Sequence, residues 1–151
     1  MMENEKDIAF MNMAIELALK AYNEGEVPVG ALIVKDGEVI GMGYNMREQN
    51  GMATAHAEIL AIEEACRKLG RWRLGECTLY VTLEPCPMCA GAIVNSRVDR
   101  VVYGVKDHAA GCCGSLIDFN RYPFSHSFSV KSGICEEECL ALLKNFFKTK
   151  R

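Results

Sequence analysis

Apolar residues at Ile8, Met11, Ala14, Ile15, Ala18, Leu19 and Tyr22 recur every three or four positions, which predicts a helix over residues 8–22. Gly25 stands just beyond it as a C-terminal stop. The pattern then changes. Residues 29–34 are nearly all apolar, as in a strand covered on both faces, and Asp36-Gly37 supplies a tight hairpin into a second strand over 38–44. A loop over 45–53 leads to a helix over 56–69, with Thr54 placed to cap it. A buried strand over 78–83, a short helix over 87–95 and a strand over 100–105 follow. After a Gly- and Cys-rich loop come a short strand near 128–131 and a last helix over 136–148, with Leu140, Leu143 and Phe147 on one face. Helix, hairpin, then alternating helices and strands predict a three-layer α/β domain around a mixed five-stranded sheet.

No repeat, low-complexity tract or linker divides the sequence, so residues 1–151 are expected to form one domain. Half of the residues are hydrophobic and a quarter charged, the balance of an ordinary globular protein. No apolar run approaches the length of a membrane span, and the acidic start, Met1 to Asp7, lacks a secretory plan. The expected address is cytoplasmic. Eight cysteines in such a chain point to metal binding or burial and away from a disulfide framework. A net charge of -3 excludes a uniformly basic nucleic-acid binder but leaves room for a local basic patch.

Chemistry concentrates in His56-Ala57-Glu58 and Pro85-Cys86-Pro87-Met88-Cys89. A Cys-x-x-Cys pair at a helix start presents two sulfurs to one ion, and both the helix N-terminus and a cation favour thiolates. With His56 the set has three ligands of the types zinc prefers, leaving a fourth position for water to be activated. Glu58, not needed as a ligand, is placed to act as general base and then general acid. By itself, Cys-x-x-Cys also fits a redox or structural role, and His-x-Glu is common. A redox role leaves His56 and Glu58 without a task. His-x-Glu followed by Pro-Cys-x-x-Cys is the known signature of zinc nucleobase deaminases.

Beyond that signature, the chain resembles the bacterial tRNA-specific adenosine deaminases of the cytidine/deoxycytidylate deaminase-like superfamily over nearly its whole length. The likeness rests on residues 26–31, Gly43-Tyr44-Asn45, residues 54–59, residues 79–86, residues 89–93 and Gly114-Ser115-Leu116. The resemblance implies a cytidine deaminase-like fold, one zinc ion per subunit on His56, Cys86 and Cys89, and Glu58 as proton shuttle. It implies that Asn45 hydrogen-bonds a flipped base, and it places Val29, Ala57, Pro85, Asp107 and Phe147 at the substrate. The implied reaction converts adenosine to inosine at the wobble position of a tRNA anticodon stem-loop, carried out by a homodimer. Cys112, Cys113 and His108 depart from the family pattern near Asp107.

Lys144-Asn145-Phe146-Phe147-Lys148-Thr149-Lys150-Arg151 interleaves aromatics with four positive charges, suited to phosphates and splayed bases. The plainer reading is that Phe147, with Phe146, seals the helix against the sheet while the lysines are solvated. Cys135 and Cys139 share a helix face, and Cys112-Cys113 are adjacent, but no histidine joins either pair at a usual ligand spacing. His126 reads as a loop residue, and Glu16, Glu63 and Glu64 as solvated helix faces; Trp72, between Arg71 and Arg73, fits a surface contact to RNA, but simple packing is the favoured reading. Two rival functions stay open: a free-base deaminase acting on guanine or cytosine, which shares the zinc motif, and a non-catalytic zinc-stabilised RNA-binding module, which leaves Glu58 idle.

Overall fold

A computed structural model describes residues 2–150, so that Met1 and Arg151, the latter one of the four C-terminal positive charges, lie outside it. Helix α1 (Glu3–Asn23) starts earlier than its apolar stripe and buries Met11, Ala14, Ala18 and Ala21. It ends where Gly25 takes a φ of 81°, as its position predicted. Strands β1 (Gly30–Lys35) and β2 (Glu38–Tyr44) form a hairpin through Asp36 and Gly37, both in left-handed conformation. The next loop holds a four-residue helix, α2 (Arg47–Asn50), which periodicity did not reveal because four residues carry no pattern.

Helix α3 (Ala57–Leu69) is preceded by His56 at the capping position, with no side-chain cap. Thr54 is therefore not the cap; its carbonyl instead accepts the His56 N–H at 2.8 Å. Strand β3 (Cys77–Leu83), helix α4 (Pro87–Ser96), strand β4 (Arg100–Val105), strand β5 (Ser129–Lys131) and helix α5 (Glu136–Thr149) complete the chain within a residue or so of expectation.

The five strands order as β2-β1-β3-β4-β5. β1 runs antiparallel to β2 and β3, while β3, β4 and β5 are parallel, so the sheet is mixed as expected. The near-continuous apolar strands follow from burial on both sides. Ile33, Leu79, Val81 and Val101 face α3 and α4, whereas Leu32, Tyr80 and Val102 face α1 and α5.

Close backbone approach fixes α3. Gly41 and Gly43 of β2 lie under Ala57, Ala61 and Ala65, and a Cβ added at Gly43 would fall 2.9 Å from the Ala61 nitrogen. On the opposite face, Asp7 of α1 is fully buried and accepts from Arg100 at 2.7 and 2.9 Å, Tyr80 at 2.7 Å and Lys131 at 3.1 Å. Burial pushes its carboxyl up, but these donors outweigh burial and hold it down at about 2.

The last helix is rotated from its predicted face. Cys139, Leu143 and Phe146 are buried, while Phe147 is 52% exposed. Both triplets have helical spacing, so periodicity alone does not choose between them. The choice is made by contacts: a Cβ on Gly104 would lie 2.6 Å from the Cys139 sulfur, and the Phe146 ring meets Tyr22 edge-on at 6.0 Å.

Candidate metal centre and pocket

β3 delivers Glu84-Pro85-Cys86 to the start of α4, where Pro87 occupies the first turn and Cys86 the capping position. α3 brings His56 to the same place from its own N-terminus. The His56 Nδ1 lies 3.6 Å from the Cys86 Sγ and 3.5 Å from the Cys89 Sγ. Tetrahedral zinc with ordinary bond lengths separates such nitrogen and sulfur atoms by about 3.6 Å, so the spacing fits the ion. No fourth His, Cys, Asp or Glu joins this cluster among the described residues, so a zinc ion held by these three would keep one position free for water.

The electrostatics favour a cation. The Cys86 thiol is held down at about 4, first by the hydrogen bond from Cys89 and also by His56. His56 is shifted up, first by its hydrogen bond to Cys86. Two helix N-termini converge here, adding their own preference for thiolate. Glu58, in the first turn of α3, is 4% exposed, and burial pushes its carboxyl up to about 7. It borders the pocket without joining the ligand cluster.

A cavity of about 220 Å³ opens over this centre. Four of the substrate residues expected from the sequence, Val29, Asn45, Ala57 and Asp107, line it together with His56, Glu58 and Cys86. Pro85 does not. It is buried behind the wall, where its carbonyl accepts the Cys112 N–H at 2.9 Å. Phe147 stands on an adjoining groove that shares Val27, Asn45 and Arg47 with the cavity and continues to Lys150.

Sequence reading missed Val27, Arg47, Leu83, Glu84 and Ala110, which complete the lining. Their only signal was proximity to the motif residues, and spacing along the chain does not say which side chains turn inward. It also missed Glu26, 1% exposed, whose carboxylate accepts the N–H groups of Glu48 at 3.2 Å and Gln49 at 2.8 Å and so fixes α2 beside the pocket.

Other candidates take structural roles. His126 Nε2 donates to the Val98 carbonyl at 2.7 Å. Cys112, Cys113 and Cys139 are buried, and Cys135 starts α5, with none of them in a metal cluster among the described residues. Trp72 is 55% exposed, with the Arg73 guanidinium 4.7 Å from its ring centre, so cations rather than core cover it. Glu16 and Glu63 are exposed as expected; Glu64 also accepts the Met42 N–H. No helix among the described residues is long and apolar enough to cross a membrane.

Comparison with known proteins agrees with this geometry. The chain is 50% identical to a tRNA-specific adenosine deaminase of Bacillus subtilis over 97% of this chain and 91% of that one. A solved structure from a study of A-to-I editing by tRNA:A34 deaminases superposes with a TM-score of 0.87 at 43% identity, covering 89% of this chain and 99% of the other. Guanine deaminase from Bacillus subtilis is 44% identical with a TM-score of 0.62, but that match covers 65% of this chain and 63% of the other. The family described as the cytidine and deoxycytidylate deaminase zinc-binding region matches residues 4–105, a stretch that contains His56, Glu58, Cys86 and Cys89. The chain therefore belongs to the zinc-dependent cytidine and deoxycytidylate deaminase family.

Proposed function

We propose that residues 1–151 form one deaminase domain that hydrolyses adenosine to inosine at the wobble position of a tRNA anticodon loop. The observation that carries this is the placing of buried Glu58 on a cavity wall that it shares with His56 and Cys86, two members of the three-residue cluster that Cys89 completes. Near-complete alignment with tRNA-specific adenosine deaminases supports the substrate class. The cytoplasm is the matching compartment.

His56, Cys86 and Cys89 would hold one zinc ion, which when bound supplies the Lewis acidity that makes water nucleophilic near neutral pH. Glu58 takes a proton from the attacking water and passes it to N1 of the adenine ring. It then carries the second proton to the departing amine, so that water and adenosine become inosine and ammonia. Val27, Val29 and Leu83 give the cavity apolar walls that exclude bulk water around a flipped base. The Asn45 amide, 8% exposed, donates to the Val27 carbonyl at 3.4 Å and is held facing the cavity, where it hydrogen-bonds the nucleotide.

The groove from Arg47 past Phe147 to Lys150 suits flanking nucleotides, offering an exposed ring for stacking and cations for phosphates. A free base needs no such extension, which favours the RNA substrate over guanine or cytosine. A homodimer is part of this reading. Leu116, Ile117, Tyr122 and Phe124 form an exposed apolar stretch after the pocket loop, suited to covering by a second copy.

The test is incubation of zinc-loaded protein with free adenosine, guanine, cytosine and an anticodon stem-loop bearing a wobble adenosine. Inosine in the stem-loop is the expected product. Turnover of guanine or cytosine alone would overturn the proposal, and RNA binding with no turnover would leave a zinc-stabilised binding module.

A further inference from the structure

Glu84 is a pocket-lining carboxylate to which the chemistry above gives no task. It is 2% exposed and has no cationic partner among the described residues. Its Oε1 accepts the Asp107 N–H at 3.0 Å, and its Oε2 accepts the N–H groups of Cys113 at 2.9 Å and Ser115 at 3.1 Å. Three backbone donors therefore converge on one buried anion, an arrangement that organises a loop as a charge-assisted cap organises a helix end.

The loop so held runs from Asp107 to Ser115 and contributes Asp107 and Ala110 to the cavity. It is tied to the metal-ligand turn by one backbone bond, and the end of β4 just before it by another. The Glu84 N–H donates to the Val105 carbonyl at 2.9 Å, and the Pro85 carbonyl accepts from Cys112 at 2.9 Å. Gly111 makes the approach feasible: an added Cβ would sit 2.5 Å from both the Asp107 carbonyl oxygen and Glu84 Oε1. Asp107 in turn uses its Oδ1 to hold Ala109 and Ala110 at 3.0 and 3.2 Å.

We propose that Glu84 is a positioning residue for substrate binding, fixing the 107–115 loop against the turn that carries Cys86 so that Asp107 and Ala110 form a rigid wall of the pocket. The role rests on the deaminase reading of that pocket. Its effect falls on substrate capture: with the loop loosened, the nucleotide must order the wall as it binds, which raises KM and leaves the reacting groups at His56 and Glu58 in place.

The informative variant is Glu84→Gln. A glutamine has one acceptor oxygen, and two of the three donors lie on the Oε2 side. The amide therefore turns its oxygen to Cys113 and Ser115, and its NH2 faces the Asp107 N–H, where it cannot accept. Hydrogen exchange followed by mass spectrometry on the zinc-loaded protein should show at least tenfold faster exchange in residues 107–110, with 112–115 protected as before. With the stem-loop substrate, KM should rise about tenfold and kcat should stay within about twofold, at unchanged zinc content. Asp107→Ala should raise KM in the wild type but add little in the Glu84→Gln background, because both changes act on the same wall.

Unchanged exchange at 107–110, fully multiplicative effects of the two substitutions, or loss of zinc in Glu84→Gln would each overturn the proposal. A wild-type chain that deaminates nothing would instead defeat the deaminase reading, and the exchange pattern would still decide whether Glu84 holds the loop.

Discussion

His56 Nδ1 lies 3.5 Å from the Cys89 sulfur, although 33 residues separate the two and each belongs to the start of a different helix. The contact exists because α3 and α4 lie on the same face of the sheet with their N-termini at the same edge. Replacing Cys86 or His56 with alanine leaves two ligands and should strip the ion. Elemental analysis is expected to fall from one zinc per chain to near none, with deamination lost in parallel. Full zinc occupancy in Cys86→Ala would contradict the assigned ligand set.

Glu58 should separate metal binding from chemistry. It borders the cavity but lies outside the ligand cluster, so Glu58→Gln should keep its zinc. The loss of proton transfer should lower kcat by about 10²- to 10⁴-fold. The pair of measurements is metal content and single-turnover rate. Activity close to wild type would remove Glu58 from the proton path.

Asp7 should control stability in acid. Its carboxyl titrates at about 2 in the folded chain against an ordinary 3.8, so the unfolded chain takes up the proton first as pH falls. The network's contribution, on the order of 2 kcal/mol, is complete above pH about 4 and drains away between there and pH about 2. Asp7→Asn should therefore be clearly less stable than wild type in denaturant titrations at pH 7, and the gap should shrink at pH 2.5. Equal gaps at both pH values would show that Asp7 does not carry the dependence.

The neighbouring phenylalanines of α5 should behave oppositely. Phe146 is 6% exposed, and truncating it to alanine should cost about 3 to 5 kcal/mol of stability. Phe147, 52% exposed on the groove beside the pocket, should cost less than about 0.5 kcal/mol when truncated. Phe147→Ala should instead weaken stem-loop binding by roughly 5- to 100-fold, the worth of one stacked base. Melting curves and RNA titrations on the two variants check both halves. An unaltered RNA affinity in Phe147→Ala would remove the ring from the substrate groove.

Much of the fold was legible because its elements are periodic and buried on known sides. The two-sided burial of β1, β3 and β4 wrote continuous apolar runs, and Asp36-Gly37 wrote a hairpin, so strand bounds such as residues 38–44 and 100–105 matched. The metal centre was legible because ligand chemistry is restrictive: few patterns bring one imidazole, two sulfurs and a spare carboxyl into a fixed order. What remained hidden was decided by contacts between segments distant in sequence. Two triplets on α5 had the same spacing, and Gly104 and Tyr22 chose between them.

The buried carboxylates show the division most clearly. Asp7, Glu26 and Glu84 look in the chain like ordinary solvated acids, and each is buried by donors that arrive from elsewhere: Arg100 and Lys131, the start of α2, the loop after β4. The sequence by itself determined which groups are candidates for the chemistry and roughly where each helix and strand runs, since residue type and periodicity are local properties. Only the tertiary structure decided which walls face the reacting centre and which acids hold them there, since a hydrogen bond's partner is set by where separate elements pack.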